Sequence, residues 1–189
     1  GRVLLPTTTV DIELPFDGEH NVANALAAAA VAFSLDISPD LIKRGLECAG
    51  KVNGRLCVHA GPSGSRIIDD TYNANPASLA AGVKLLAKEK GRTCVILGDM
   101  GELGRDAIKA HRDAGRDIRS AGIESLYTLG DLAAEAAIGF GDGARSFHNV
   151  DELRASLAAD LVHPLTVLVK GSRFMRMERV VHALVPESR

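Results

Sequence analysis

Asp69, Asp70, Asn73 and Asn75 fall within seven residues of one another, in the stretch Ile67–Pro76 that reads IIDDTYNANP. Carboxylates and amides at this density can accept from hydroxyls, donate to carbonyls or close a turn. Ile67 and Ile68 read as the end of a buried strand, and Pro76 as the first turn of a helix capped by Asn75. A strand therefore delivers these groups to one edge, and in open α/β sheets ligands collect at the carboxyl ends of strands. Taken alone, the stretch reads first as a well-capped turn.

Lys170-Gly171-Ser172-Arg173 leaves the apolar run Leu165–Val169 in the same way. A lysine, a guanidinium fork and a hydroxyl at a strand end suit an anionic group, carboxylate or phosphate, or make a solvated turn with two surface cations. Gly98, Gly101 and Gly104 follow a third apolar run, Thr93–Leu97, and permit close backbone approach. Their G-x-x-G-x-x-G spacing is not the dinucleotide G-x-G-x-x-G. No phosphate loop of the G-x-x-x-x-G-K-[ST] type occurs, and Gly61-Pro62-Ser63-Gly64 only echoes one. The histidines, His20, His59, His111, His148, His163 and His182, have no spacing that would set metal ligands on one helix face. No hydroxyl or thiol is marked as a nucleophile, so no residue is assigned to catalysis.

The elements that must position these groups follow from periodicity. Thr7–Leu14 alternates as a half-buried strand, with Phe16-Asp17-Gly18 turning it. A small-residue helix runs from Asn21 through Ala25–Leu35, and a second starts at Ser38-Pro39. Gly50–Gly54 reads as a linker. Arg55–Ala60 and Ser65–Asp69 form a hairpin across the Pro- and Gly-containing turn. Beyond it helices and strands alternate: helix Pro76–Glu89, strand Thr93–Leu97, helix Asp106–Ala121, strand Ser125–Leu129, helix Asp131–Ile138, a weak strand at Ser146-Phe147, helix Asp151–Ala159, strand Leu165–Val169 and helix Met175–Leu184. The pattern predicts an α/β, Rossmann-like, mainly parallel sheet with helices on both faces.

The composition, 46% hydrophobic and 24% charged over 189 residues, is that of an ordinary soluble domain with one good core. A net charge of −2 and 4% aromatics exclude a nucleic-acid footprint. No apolar run is long enough for a membrane span, and Gly1–Pro15 lacks the pattern of a secretory leader. Cys48, Cys57 and Cys94 are odd in number and sit among apolar residues, as reduced structural thiols of a cytoplasmic protein do. Gly1 begins in mid-pattern without an initiator Met, so the chain is expected to be a piece of a longer one.

Gly18-Glu19-His20-Asn21-Val22-Ala23-Asn24-Ala25-Leu26-Ala27-Ala28 resembles the G-x-H-N-x-x-N-x-x-A-A signature near the end of the central domain of the Mur ligases, the ATP-dependent amide-forming enzymes of peptidoglycan synthesis. DDTYNANP, LGDMGELG and VLVKGSR extend the resemblance over nearly the whole chain. It implies that residues 1–50 are the C-terminal tail of the central ATPase domain and 51–189 the C-terminal Rossmann-like domain. It further implies ATP and Mg2+, with the magnesium ligands and phosphate loop on sequence outside this chain. UDP-N-acetylmuramoyl-tripeptide and D-alanyl-D-alanine are the substrates so implied, and the fragment alone is expected to be inactive. By the same resemblance Asn24 meets the adenine edge, with His20 and Asn21 structuring that helix start. Arg55 reaches the phosphates, Asp70 takes the ribose hydroxyls, and Asn73, Asn75, Lys170 and Arg173 face the incoming peptide. Phe174 departs from the small polar residue relatives often carry after KGSR. Another Mur-type or folylpolyglutamate ligase, or a stand-alone nucleotide-binding module, are the alternatives.

Overall fold

The computed structural model describes residues 1–6, 8–15, 19–50 and 53–185, and the side chains of all of these except Glu19 and His20. The expected turn at 16–18 and part of the expected linker, residues 51 and 52, lie outside that description. The chain divides into two compact units, Gly1–Val52 and Asn53–Arg189.

In the first unit β1 (Arg2–Leu5) and β2 (Thr8–Asp11) pair antiparallel, Arg2 opposite Asp11 and Leu5 opposite Thr8. The sequence reading anticipates only β2: Arg2-Val3-Leu4-Leu5 has no alternation to betray a strand, and its pairing is what orders it. Two helices follow, α1 (Glu19–Ser34) and α2 (Pro39–Glu47). Val10, Ile12, Ala25, Ala29 and Ile42 are buried, whereas Val22, Leu26, Val31 and Leu35 are exposed.

In the second unit β3 (Cys57–Ala60) and β4 (Arg66–Asp70) form the expected hairpin, Cys57 opposite Asp69 and Ala60 opposite Arg66. The succession is then α3 (Pro76–Leu86), β5 (Arg92–Gly98), α4 (Ala107–Ser120), β6 (Ser125–Leu129), α5 (Ala133–Phe140), β7 (Ala144–Phe147), α6 (Val150–Asp160), β8 (Leu165–Lys170) and α7 (Glu178–Leu184). The sheet order is β3-β4-β8-β5-β6-β7, with every pair parallel except β3 with β4.

Side chains that alternate along each strand build two cores. Ile67, Cys94, Ile96, Tyr127, Val167 and Val169 meet α6 and α7 on one face. Ile68, Val95, Leu97, Leu126 and Leu168 meet α3, α4 and α5 on the other. Both faces are covered, which is why β5 and β8 read as unbroken apolar runs; each such side chain contributes about 1.5–3 kcal/mol on burial. The crossovers that step outward from β4 to β7 thus place their helices on one face, and the return to β8 places α6 on the opposite one, as a constant crossover hand requires.

Three features depart from the expected elements. β3 starts at Cys57 rather than Arg55, because Leu56 takes φ 52 and breaks the strand. Cys48 is exposed and Cys57 half-buried, so only Cys94 has the enclosed surroundings expected of all three thiols. α5 starts at Ala133 rather than Asp131, and its start is set by a carboxylate far away in sequence: Asp99 Oδ1 accepts from the Ala133 amide at 2.7 Å.

Candidate functional site

Asp70, Gly98 and Lys170 end the neighbouring parallel strands β4, β5 and β8, so the polar stretches picked out by their spacing leave the sheet along one edge.

β4 throws its last two side chains to opposite faces. Asp69 turns inward to its own loop: its Oδ1 accepts from the Thr71 amide at 3.1 Å and from Thr71 Oγ1 at 2.6 Å, and its Oδ2 lies 3.9 Å from His59 Nε2. Asp70 meets Lys170, whose ammonium donates to Asp70 Oδ2 at 2.6 Å, to the Asn73 carbonyl at 2.9 Å and to the Asp70 carbonyl at 3.5 Å. Burial pushes the Asp70 carboxyl above the ordinary carboxylate range; Lys170, the Leu56 amide and Arg55 pull it back without cancelling the shift.

Arg55 is exposed, and its guanidinium lies over the Tyr72 ring, 4.4 Å from the centroid. The stack is fixed from below, since the Tyr72 amide donates to the Gly54 carbonyl at 2.9 Å. Gly54 sits at φ 76, and a Cβ on it would lie 2.9 Å from the Tyr72 nitrogen, so the segment can approach this closely only as glycine.

Ser172 joins the three loops of the edge. Its Oγ accepts from the Gly101 amide at 2.7 Å and donates to the Ala74 carbonyl at 3.1 Å, while its own amide donates to the Asp99 carbonyl at 3.0 Å. His111, fully buried on α4, accepts from the Met100 amide through Nε2 at 2.9 Å, so its proton sits on Nδ1 and is donated to Ala107 O at 2.7 Å. The first half of the glycine-rich loop, Asp99 to Gly101, is thereby held from two sides.

Of the residues singled out by sequence, Asp70, Lys170 and Asn73 are bonded together, with Arg55 beside them. Asn73 is exposed, its Oδ1 accepting from the Ala74 amide at 2.9 Å. Asn75 caps α3: its Oδ1 accepts from the Ser78 amide at 2.8 Å, and Ser78 Oγ accepts from the Asn75 amide at 3.1 Å. Arg173 stands on the loop after β8, 3.3 Å from Glu178 Oε1, and Phe174 beside it is 64% exposed. Lys170 is not on that loop. It is the last residue of β8 and 2% exposed, and its donors are engaged internally. Asn21 and Asn24 lie on α1, Asn24 exposed, while the His20 side chain is outside the described residues. Sequence reasoning missed Tyr72, Asp99 and His111 as organisers of the edge; no local pattern marks a side chain whose partner lies many residues away. Among the described residues no cluster of three or more His, Cys, Asp or Glu could hold a metal ion, and no helix is long and apolar enough to cross a membrane.

The model of the Mur ligase, glutamate ligase domain, family matches residues 54–173. The UDP-N-acetylmuramoyl-tripeptide–D-alanyl-D-alanine ligase of Escherichia coli (strain K12) is 40% identical over 182 residues, 95% of this chain and 40% of that protein. The enzyme of that name from Bacillus subtilis (strain 168) is 32% identical over 179 residues, 91% of this chain and 39% of its own. A crystal structure of MurF from Acinetobacter baumannii superposes with a TM-score of 0.82 at 34% identity, over 96% of this chain and 41% of that one. The chain therefore spans about two fifths of the length of the curated relatives it matches.

Proposed function

The chain belongs to the Mur ligase family, through its glutamate ligase domain, and from that premise we propose that it is the C-terminal part of a MurF-type ligase that joins D-alanyl-D-alanine to UDP-N-acetylmuramoyl-tripeptide in the cytoplasm. The observation that carries the reading is the common edge of β4 and β8, where exposed Arg55 and Asn73 flank a carboxylate, Asp70, fixed by a buried lysine. Residues 1–50 are read as the tail of a central ATPase domain and 51–189 as the domain that closes over its nucleotide.

In this reaction ATP phosphorylates the free carboxylate of the tripeptide, the amine of D-alanyl-D-alanine attacks the acyl phosphate, and phosphate leaves. The protein must neutralise charge as it develops and exclude water from the acyl phosphate, and closure of a lid does both. Asp70 accepts from the ribose hydroxyls, Arg55 places its guanidinium at the phosphates, and Asn24 reads the adenine edge with donor and acceptor together, with His20 and Asn21 assigned to structuring that helix start. Asn73, Asn75 and Arg173 face the amine substrate, Asn75 also holding the helix cap and Lys170 standing behind them. The described residues offer no donor set that fits magnesium; its ligands are assigned to sequence outside this chain, and no step is derived through it. With no phosphate loop of its own, the 189-residue chain is expected to show no ATP turnover above background with both substrates supplied.

The decisive test uses Asp70→Asn in the full-length protein, because Asp70→Ala would strand the buried Lys170 ammonium and confound folding with function. Loss of charge-assisted bonds worth roughly 1.5–3 kcal/mol predicts about a ten- to hundredfold fall in kcat/KM for ATP. Asp69→Ala, which removes the bonds to Thr71 and the approach to His59, lowers thermal stability and leaves ATP kinetics close to normal. An Asp70→Asn enzyme with normal kcat/KM for ATP overturns the assignment.

A further inference from the structure

Lys170 is 2% exposed, where an unpaired ammonium is strongly disfavoured. Its acceptors all belong to residues 70–73: Asp70 Oδ2 at 2.6 Å, Asn73 O at 2.9 Å and Asp70 O at 3.5 Å. An ammonium has three protons and no acceptor, so each proton has one target. Lys170 also ends β8, whose register sets Asp70 directly opposite it. We propose that Lys170 is a positioning residue that ties the nucleotide-facing carboxylate of Asp70 to the Asn73 loop facing the amine substrate, so that both halves of the site keep one geometry. The inference rests on the reading of Asp70 as a nucleotide contact.

The surroundings of Asp70 leave Lys170 as its main counter-charge. Arg55 faces it from the segment before β3 and is exposed to water. From α3 the facing residue is Gly82, where even a Cβ would lie 3.7 Å from Asp70 Oδ2 and which brings no charge. Asp69 points to the other face and is bonded to Thr71. Burial already works against ionisation of Asp70. Without the ammonium the carboxyl moves further up, towards the protonated form that no longer offers two charged acceptors, while the Asn73 carbonyl loses the donor that holds its loop.

Lys170→Met and Lys170→Arg in the full-length protein, assayed for kcat/KM towards ATP and KM for D-alanyl-D-alanine across the pH range around neutrality, test this. Lys170→Met is expected to lose at least about tenfold in kcat/KM for ATP, to have its pH profile displaced towards higher pH, and to show a raised KM for the dipeptide. Lys170→Arg keeps the charge and therefore the pH profile, yet its wide planar fork cannot fill a site shaped for three converging bonds, so the dipeptide KM still rises. A merely structural lysine would leave the pH profile of any folded variant unmoved. Lys170→Met with the native pH profile and dipeptide KM overturns the proposal, and if that variant does not fold, a native dipeptide KM in Lys170→Arg overturns it. Normal ATP kinetics in Asp70→Asn would instead sink the reading of Asp70, whereas an impaired Asp70→Asn beside a native-like Lys170→Met sinks the role of Lys170 alone.

Discussion

Two residues away from the site show how enclosure sets reactivity. Tyr127 is buried in β6, its hydroxyl bonded to the Asp160 carboxylate and reached by Arg145 Nη1 at 3.1 Å. Desolvation first, and the Asp160 bond second, push its phenol up to about 12 from 10.0. The folded state thus prefers the protonated phenol: its contribution to stability is complete below pH 10.0 and is lost as pH rises towards 12. Tyr127→Phe should flatten the fall in melting temperature over that interval, and an unchanged slope would count against it. Cys94, fully buried, has its thiol pushed up to about 12 by desolvation, while Cys48 is exposed. Iodoacetamide on the folded chain should modify Cys48 readily and Cys94 only after unfolding, as mass spectrometry of the peptides would show. The alternation that sends Asp69 and Asp70 to opposite sides was legible from the strand period alone. The burial of Lys170 was not, because it depends on a strand from a hundred residues away lying beside β4.

Between helices the closest approach is that of α4 and α5. A Cβ on Gly115 would stand 1.9 Å from the Ala136 carbonyl oxygen, and one on Gly139 would stand 2.1 Å from that of Arg112, so the two backbones touch. Gly115→Ala therefore forces the helices apart and should cost about 1–3 kcal/mol despite alanine's better helix propensity. Gly45, inside α2, has nothing within 4 Å of a built Cβ. Gly45→Ala should stabilise by up to about 1 kcal/mol. Opposite shifts in thermal melts check the pair; a neutral Gly115→Ala would mean the helices yield more easily than their contact suggests. Strands covered on both faces and helices with strong caps, such as α3 behind Asn75 and Pro76, were readable because their signals are local. β1, the broken start of β3 and the start of α5 were not, since pairing, a clamp on Tyr72 and a distant Asp99 decide them.

At the scale of the molecule, the two units differ in how much they bury. The second has apolar cores on both sheet faces, whereas α1 of the first buries little beyond Ala25 and Ala29 and leaves Val22, Leu26, Val31 and Leu35 exposed. Amide exchange followed by mass spectrometry should accordingly be faster in α1 than in β5, and equal protection would contradict the prediction. The strand order carries a further consequence, for synthesis. Among the described residues β8 is the last strand in sequence, yet it lies between β4 and β5. Until Leu165–Lys170 emerges from the ribosome, the β3–β4 hairpin and the β5–β6–β7 ribbon each carry an open, apolar edge that another chain could pair with. A chain stalled before Leu165 holds nearly all of the domain's sequence and none of its continuity, so such truncations should collect in the insoluble fraction of an expressing cell. Insertion of β8 ends that exposure and in the same event brings Lys170 to Asp70, so that the domain completes its sheet and its candidate site together.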